Sequence, residues 1–253
     1  MRSIGSTMIC AALGFALVAA APAVAQQPPP LAPPKPYKPV AVSAAAPMTD
    51  AGLDALRKQL GDVATKKDKA ALAGLVVAKG FFWDRADGKK ADAKKSSVDN
   101  LNAAVGLPDD AGWDALGGYA GEPTAAPSGD HKGAVCSPAP PSVDQKAFDA
   151  LAKATGTDPF EWGYVIQAGT EVRGKADAKA PVIEKVDLIL VRVYEDPNAQ
   201  GDQGGDFTRI VAPSGKVGFV AADAVRALQG DQLCYVKDGN AWKIGGYVGG
   251  GGE

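Results

Sequence analysis

The fold is decided by residues 170–226, TEVRGKADAKAPVIEKVDLILVRVYEDPNAQGDQGGDFTRIVAPSGKVGFVAADAVR. Apolar and polar residues alternate there in short runs, and this period of two predicts half-buried β-strands. Pro213, Ser214 and Gly215 supply turn chemistry between the last two runs, so these runs are predicted to form a hairpin. The predicted strands are Glu171–Arg173, Val182–Val186, Leu188–Tyr194, Phe207–Val211 and Val217–Val220.

A second hairpin is predicted downstream. The runs 233–236 and 242–244 flank Asp238, Gly239 and Asn240, which are residues typical of a tight β-turn. This hairpin lies outside the 170–226 stretch and is predicted to extend the same β region.

The order of elements in this stretch resembles a bacterial SH3 domain, and the resemblance covers about a quarter of the chain. The elements that carry it are Glu171–Arg173, Pro181–Ile183, Leu188–Tyr194, Phe207–Ile210, Gly215–Val220 and the short turn Asp223–Val225. The resemblance implies a small β-barrel of an exported bacterial protein, of a class that binds cell-wall material or proteins.

The chain upstream of this region has a helical pattern. Leu53, Leu56, Leu60 and Val63 follow the spacing of one helix face. Further helices are predicted around residues 72–76, from Ser97, from Asp109 or Asp110, and from Ser142, where Ser142 and Gln145 fit a capping box. The predicted fold class is therefore α+β, with a helical part at 48–160 and an SH3-like β-barrel with an added C-terminal hairpin at 161–253.

The N-terminus has the features of a signal peptide. Arg2 precedes the apolar run 8–20, and Ala23-Val24-Ala25 is a small-x-small cleavage signature, so residues 1–25 are predicted to be removed. The run is shorter than a membrane-spanning helix requires. The proline-rich segment 26–47 is predicted to be an extended linker without core residues. We expect a periplasmic or secreted protein without stable membrane insertion.

Cys136 and Cys234 remain after the predicted cleavage. In an oxidising compartment two cysteines are expected to form one disulfide. The alternative is that they are two separate buried thiols. The bridge is favoured because export favours oxidation, and it would tie the middle of the chain to the C-terminal hairpin.

Other chemistries find little support in the sequence. His131 is the single histidine, and a nucleophilic cysteine–histidine pair would need the nearby Cys136. Because Cys136 is expected in the disulfide, no catalytic residue is assigned. Residues 196–201 imitate the start of a calcium loop, but Phe207 occupies the position of the required glutamate, so no metal or cofactor is assigned. The formal net charge of −2 argues against nucleic acid as a partner.

Aromatic residues in the β region are the candidate ligand-binding residues, namely Trp162, Tyr164, Tyr194 and Phe219. The predicted function is an exported, non-catalytic binding protein of the cell envelope that holds a cell-wall glycan or peptide, or an envelope protein. One alternative is an NTF2-like hydrolase or ligand-binding domain with an accessory barrel, suggested by the opening helices and the strand at Trp242. A purely structural envelope protein is the other alternative.

Overall fold

The computed structural model describes residues 32–85, 88, 90–194 and 205–249, so the predicted signal peptide and the calcium-like loop lie outside the described residues. The helices are α1 (Ala51–Lys66), α2 (Lys69–Leu75), α3 (Ser97–Val105), α4 (Asp110–Gly121) and α5 (Gln145–Thr155), with short 3-10 helices at Pro159–Glu161 and Ala222–Ala224. None of the helices in these ranges is long and apolar enough to cross a membrane.

The strands confirm a mixed α/β protein. They are β1 (Val42–Ser43), β2 (Phe82–Arg85), β3 (Ala126–Pro127), β4 (Val135–Ser137), β5 (Ser142–Val143), β6 (Trp162–Val165), β7 (Thr170–Arg173), β8 (Val182–Val186), β9 (Leu190–Val193), β10 (Phe207–Val211), β11 (Val217–Ala221), β12 (Val225–Ala227), β13 (Gln232–Asp238) and β14 (Ala241–Gly249).

Helices α1 to α4 pack with a five-stranded sheet of order β2-β14-β13-β4-β3. The predicted apolar face of α1 is confirmed, because Leu53, Leu56, Leu60 and Val63 are all buried. Asp50 caps the helix by accepting hydrogen bonds from the backbone N–H groups of Gly52 and Leu53. These contacts bury a continuous core between the helices and the sheet.

The C-terminal hairpin, β13 and β14, belongs to this first layer. β13 pairs antiparallel with β4, and β14 pairs parallel with β2. Leu233, Tyr235 and Ile244 are fully buried in the core with the helices. The hairpin is therefore not an extension of the 170–226 sheet, because its apolar side chains fill the helical core instead.

The predicted disulfide between Cys136 and Cys234 is present. The two cysteines are directly opposite each other in the β4–β13 pair, and both are buried. The bridge closes a separation of 98 residues and fixes the C-terminal hairpin to the middle of the chain.

The 170–226 stretch lies in a seven-stranded sheet of order β12-β6-β9-β10-β11-β7-β8. The predicted hairpin is confirmed, since Phe207–Val211 pairs in register with Val217–Ala221. β6, which was not predicted as a strand, pairs with both β9 and β12. No described strand joins the two ends of this order, so the described residues do not form a closed barrel.

The seven-stranded sheet buries apolar residues on both faces. One face encloses a small apolar cluster formed by Val165, Val172, Val186, Val191, Ile210, Ala212 and Val220. The other packs against α5 and against residues 37–42, and its buried members are Val40, Val42, Phe148, Leu151, Trp162, Tyr164 and Leu190.

The expectation that segment 26–47 has no core residues is wrong for its described part. Val40 and Val42 are buried, and the Tyr37 hydroxyl donates a hydrogen bond to the carbonyl oxygen of Val211 at 2.9 Å. Backbone hydrogen bonds from Leu190 to Val40 and from Val42 to Leu188 fix the segment along the sheet. The few apolar residues between the prolines thus pack on one face of the sheet. The composition of the segment alone does not predict this contact.

The start of α5 also differs from the prediction. Asp144 is the N-cap and accepts from the backbone N–H of Ala147, whereas Ser142 and Val143 form β5 and pair with β1. The capping box predicted for Ser142 and Gln145 is therefore wrong, because Ser142 lies in an extended strand instead of at the helix start.

Candidate functional site

A cleft with a volume of about 720 Å³ lies where the two sheets come together among the described residues. One wall comes from β6, β12 and the segment after it, through Tyr164 and residues 226–230. The facing wall comes from β2, from Asp130 and His131, and from the proline-rich segment 138–141. We refer to this space as the inter-sheet cleft.

His131 is held in the cleft by two contacts. Its Nε2 atom lies 2.9 Å from a carboxylate oxygen of Asp84. Its ring stacks on Phe82 with 3.7 Å between centroids and 13° between planes. The histidine that the sequence left without a partner is therefore oriented by residues of β2, 47–49 positions earlier in the chain.

An ion pair between a buried carboxylate and an exposed arginine supports the opposite wall. A carboxylate oxygen of Glu122, which is 7% exposed, lies 2.7 Å from Nη1 of Arg226. The hydroxyl and the backbone N–H of Thr124 also donate to Glu122. Burial raises the pKa of the Glu122 carboxyl, but these hydrogen bonds and the charge of Arg226 outweigh burial and leave the pKa below its usual value.

Tyr164 lies beside this ion pair and lines the cleft. Burial raises the pKa of its hydroxyl, while the nearby positive charge of Arg226 acts in the opposite direction. The hydroxyl therefore stays protonated at neutral pH and serves as a neutral hydrogen-bonding group.

A second charged pair involves Arg85, which lines the cleft. Nη1 of Arg85 lies 3.8 Å from a carboxylate oxygen of Asp231, and the Tyr247 hydroxyl donates to the same carboxylate at 2.8 Å. Both arginines that line the cleft thus have carboxylate partners, Asp231 for Arg85 and Glu122 for Arg226.

The four predicted ligand-binding aromatics do not meet in one place. Trp162 is 1% exposed, and its indole N–H donates to Thr157 while Tyr37 packs edge-on against its ring. Tyr194 and Phe219 are half-buried, and each ring is covered by an arginine whose guanidinium carbon is 5.2 Å from the centroid. Of the four, Tyr164 alone lines the inter-sheet cleft. That the four bind a ligand remains a prediction.

Nucleophilic catalysis and metal binding, the two other chemistries considered from the sequence, can be compared with the structure. Cys136 is in the disulfide, so it has no thiol to pair with His131 as a nucleophile. Among the described residues, no group of three or more His, Cys, Asp or Glu side chains is arranged to hold a metal ion.

Sequence reasoning missed Asp84, Glu122 and Arg226 as residues of a site. They lie far apart in the chain, and none belongs to a motif with a fixed spacing. The one local signal is Glu122 itself, a carboxylate at the end of a helix, where the helix dipole disfavours it. Such a position requires compensation, which Arg226 and Thr124 provide.

No protein-family model, curated protein or solved structure matches the chain, so the interpretation of the cleft rests on its own geometry.

Proposed function

We propose that the protein is an exported, non-catalytic binding protein of the cell envelope that holds cell-wall material or a protein partner through an SH3-like module. The observation that carries the proposal is the inter-sheet cleft, one wall of which is formed by β6 and β12 of that module. A cleft with a few fixed polar groups between apolar walls is the usual form of a binding site.

The order of elements supports the SH3-like part of the proposal. β9, β10 and β11 follow one another as neighbours, the 3-10 helix Ala222–Ala224 comes next, and β12 then returns to pair with β6. A strand, a hairpin and a short helical turn follow one another in the order that the resemblance to bacterial SH3 domains implies. The long hairpin of β7 and β8 packs against β11.

The disulfide supports export. Disulfides persist in oxidising compartments and are rare where thiols are kept reduced. The buried position of Cys136 and Cys234 in paired strands is that of a structural bridge. A periplasmic or secreted location follows from this reasoning together with the signal-peptide features of residues 1–25.

The proposal is tested by incubating the purified protein with isolated sacculi and with envelope lysate, and by measuring what is retained. Ala227→Trp places a bulky ring in the cleft and is expected to abolish retention. Ala221→Trp is the matched control, because Ala221 is also exposed, lies at the end of β11 and does not line the cleft. Equal retention by both variants, or no retention by the native protein, would contradict the proposal.

The hydrolase alternative has one specific observation in its favour. A carboxylate that orients an imidazole, as Asp84 does for His131, is an arrangement used in general base catalysis. A hydrolase would release soluble fragments from sacculi over hours, and His131→Gln would stop the release. Release that is unchanged in His131→Gln would remove this alternative. A purely structural protein would show neither retention nor release.

A further inference from the structure

β12 is the last strand of the seven-stranded sheet, and its outer edge is not paired with any described strand. On its inner side β12 pairs with β6, with Val225 opposite Val165 and Ala227 opposite Gly163. The backbone N–H of Ile166 donates to Ala224, and that of Leu228 donates to Trp162.

These two hydrogen bonds fix the direction of the remaining backbone groups. In an antiparallel pair, alternate residues direct both their N–H and their C=O groups toward the partner strand. Since residues 224 and 228 face β6, residues 225 and 227 direct their N–H and C=O groups outward. β12 therefore presents hydrogen-bonding groups at a sheet edge, which is the arrangement that accepts an added strand.

The inter-sheet cleft lies alongside this edge. Ala227 and Leu228 line the cleft, and Arg226 and Ala227 are exposed. The facing segment contains Pro138, Pro140 and Pro141, which have no backbone N–H and cannot pair with β12 in a regular ladder. The cleft thus offers an extended chain one wall with outward-facing backbone groups and a second wall whose proline-rich part cannot compete for them.

The charges in the cleft indicate which side chain such a chain would carry. The two lining arginines are already paired with Asp231 and Glu122. Two carboxylates, Asp84 and Asp130, line the opposite wall, and the Asp84 side chain is 62% exposed even though it contacts His131. A cationic side chain on the bound segment would complement them.

We propose that the inter-sheet cleft binds an extended peptide segment as an additional strand on the outer edge of β12, with a cationic side chain of that segment directed at Asp84 and Asp130. This inference rests on the proposed binding function and specifies the ligand as a peptide chain. The occupant is a protein segment of L-residues, because the regular alternation of its backbone amides is what pairing with β12 requires.

The test uses a capped pentapeptide, Thr-Val-Lys-Val-Thr, and its analogue with norleucine in place of lysine. Binding to the full chain is followed through the backbone amide resonances, and those of Val225 and Ala227 are expected to shift. Methylating the peptide nitrogens one at a time is expected to weaken binding about 5-fold at alternate positions and to have no effect at the others. A uniform effect along the peptide, or shifts outside the cleft, would overturn the strand addition.

Protein variants provide the second arm. Ala227→Pro removes an outward N–H and is expected to weaken binding about 5-fold, whereas Ala227→Thr keeps the N–H and should bind like the native protein. Asp130→Asn should weaken the lysine peptide about 2- to 5-fold and leave the norleucine peptide unchanged. Should Ala227→Pro fail to fold, the methylated peptides still decide the question on the native protein.

The outcomes separate this inference from the proposed function. Retention on sacculi that Ala227→Trp abolishes, without binding of either peptide, would refute strand addition and leave the binding function standing. Peptide binding with the alternating pattern, without retention of envelope material, would support strand addition and refute the envelope ligand.

Discussion

The carboxylate of Glu122 lies 2.7 Å from the guanidinium of Arg226, which is 104 residues later in the chain. Glu122 follows α4 in the helical layer, and Arg226 belongs to β12 of the seven-stranded sheet. The pair therefore connects the two layers behind the inter-sheet cleft.

Glu122→Gln is expected to lower the free energy of unfolding at pH 7 by about 1–3 kcal/mol, because the Arg226 guanidinium loses its charged partner. Urea unfolding measures this change. Arg226 is 42% exposed on its side chain, so water compensates part of the loss. Glu171→Gln, at a more exposed carboxylate on β7, is the control and should change stability much less.

The same carboxyl predicts a pH dependence. Its pKa is lower in the folded protein than its usual value of 4.5, so its stabilisation is complete above that pH and is lost as the pH falls through the folded pKa. The stability difference between the native protein and Glu122→Gln should therefore shrink as the pH falls below about 4.5. A difference that stays constant down to pH 3 would show that Glu122 acts through packing alone.

Replacement of both Cys136 and Cys234 by alanine is expected to lower the free energy of unfolding by about 2–5 kcal/mol, because the bridge restricts a 98-residue loop in the unfolded chain. Urea unfolding under non-reducing conditions measures the loss. Reduction of the native protein should reproduce it. Thiol labelling of the folded, unreduced protein at either position would contradict the bridge.

Gly215→Ala is expected to lower stability by at least about 1 kcal/mol more than Gly169→Ala. Both glycines have positive φ, 84° and 74°, so both substitutions cost about 1–2 kcal/mol in backbone conformation. At Gly215 the added methyl carbon would also lie 2.6 Å from the backbone nitrogen of Pro36, whereas at Gly169 it meets open space. Equal thermal unfolding of the two variants would show that residues 35–36 are not seated against this turn.

Trp162→Ala is expected to cost about 3–5 kcal/mol of stability, because the indole is fully buried against Tyr37 and Phe148. Tyr194→Ala, at a half-buried ring, should cost about 1 kcal/mol or less. Ligand binding by folded Trp162→Phe should match the native protein. Loss of binding in Trp162→Phe without loss of stability would instead make Trp162 a ligand-binding residue.

Much of the local structure could be predicted from the sequence. The period-two runs correspond to β7 to β11 with ends that agree within two residues, and the helical spacing of the leucines corresponds to α1. These elements are determined by neighbours two to four residues apart, which the sequence displays directly. The cysteine count and the inferred compartment were sufficient for the disulfide, because only one pairing of two cysteines exists.

The site could not be predicted in the same way. Tyr164 was identified as an aromatic next to the sheet, but Asp84, Glu122 and Arg226 carry no motif and act through partners 47 to 104 residues away. Trp162 is a candidate ligand-binding residue by its aromatic type, and the structure places it beneath segment 37–42 and α5. Whether an aromatic side chain is core or surface depends on what packs on it from elsewhere in the chain.

The sequence by itself predicted helix α1 and strands β7 to β11, because hydrophobic period and turn chemistry act locally, and it favoured the pairing of Cys136 with Cys234. The tertiary structure alone decided that β13 and β14 join the helical layer, and that residues 37–42 belong to the core of the sheet at 170–226. It also decided that no described strand pairs with the outer edge of β12, which lies beside a cleft. These features depend on which apolar and charged groups from distant parts of the chain pack on the same surface. The local pattern of residues along the chain contains no information about those long-range contacts.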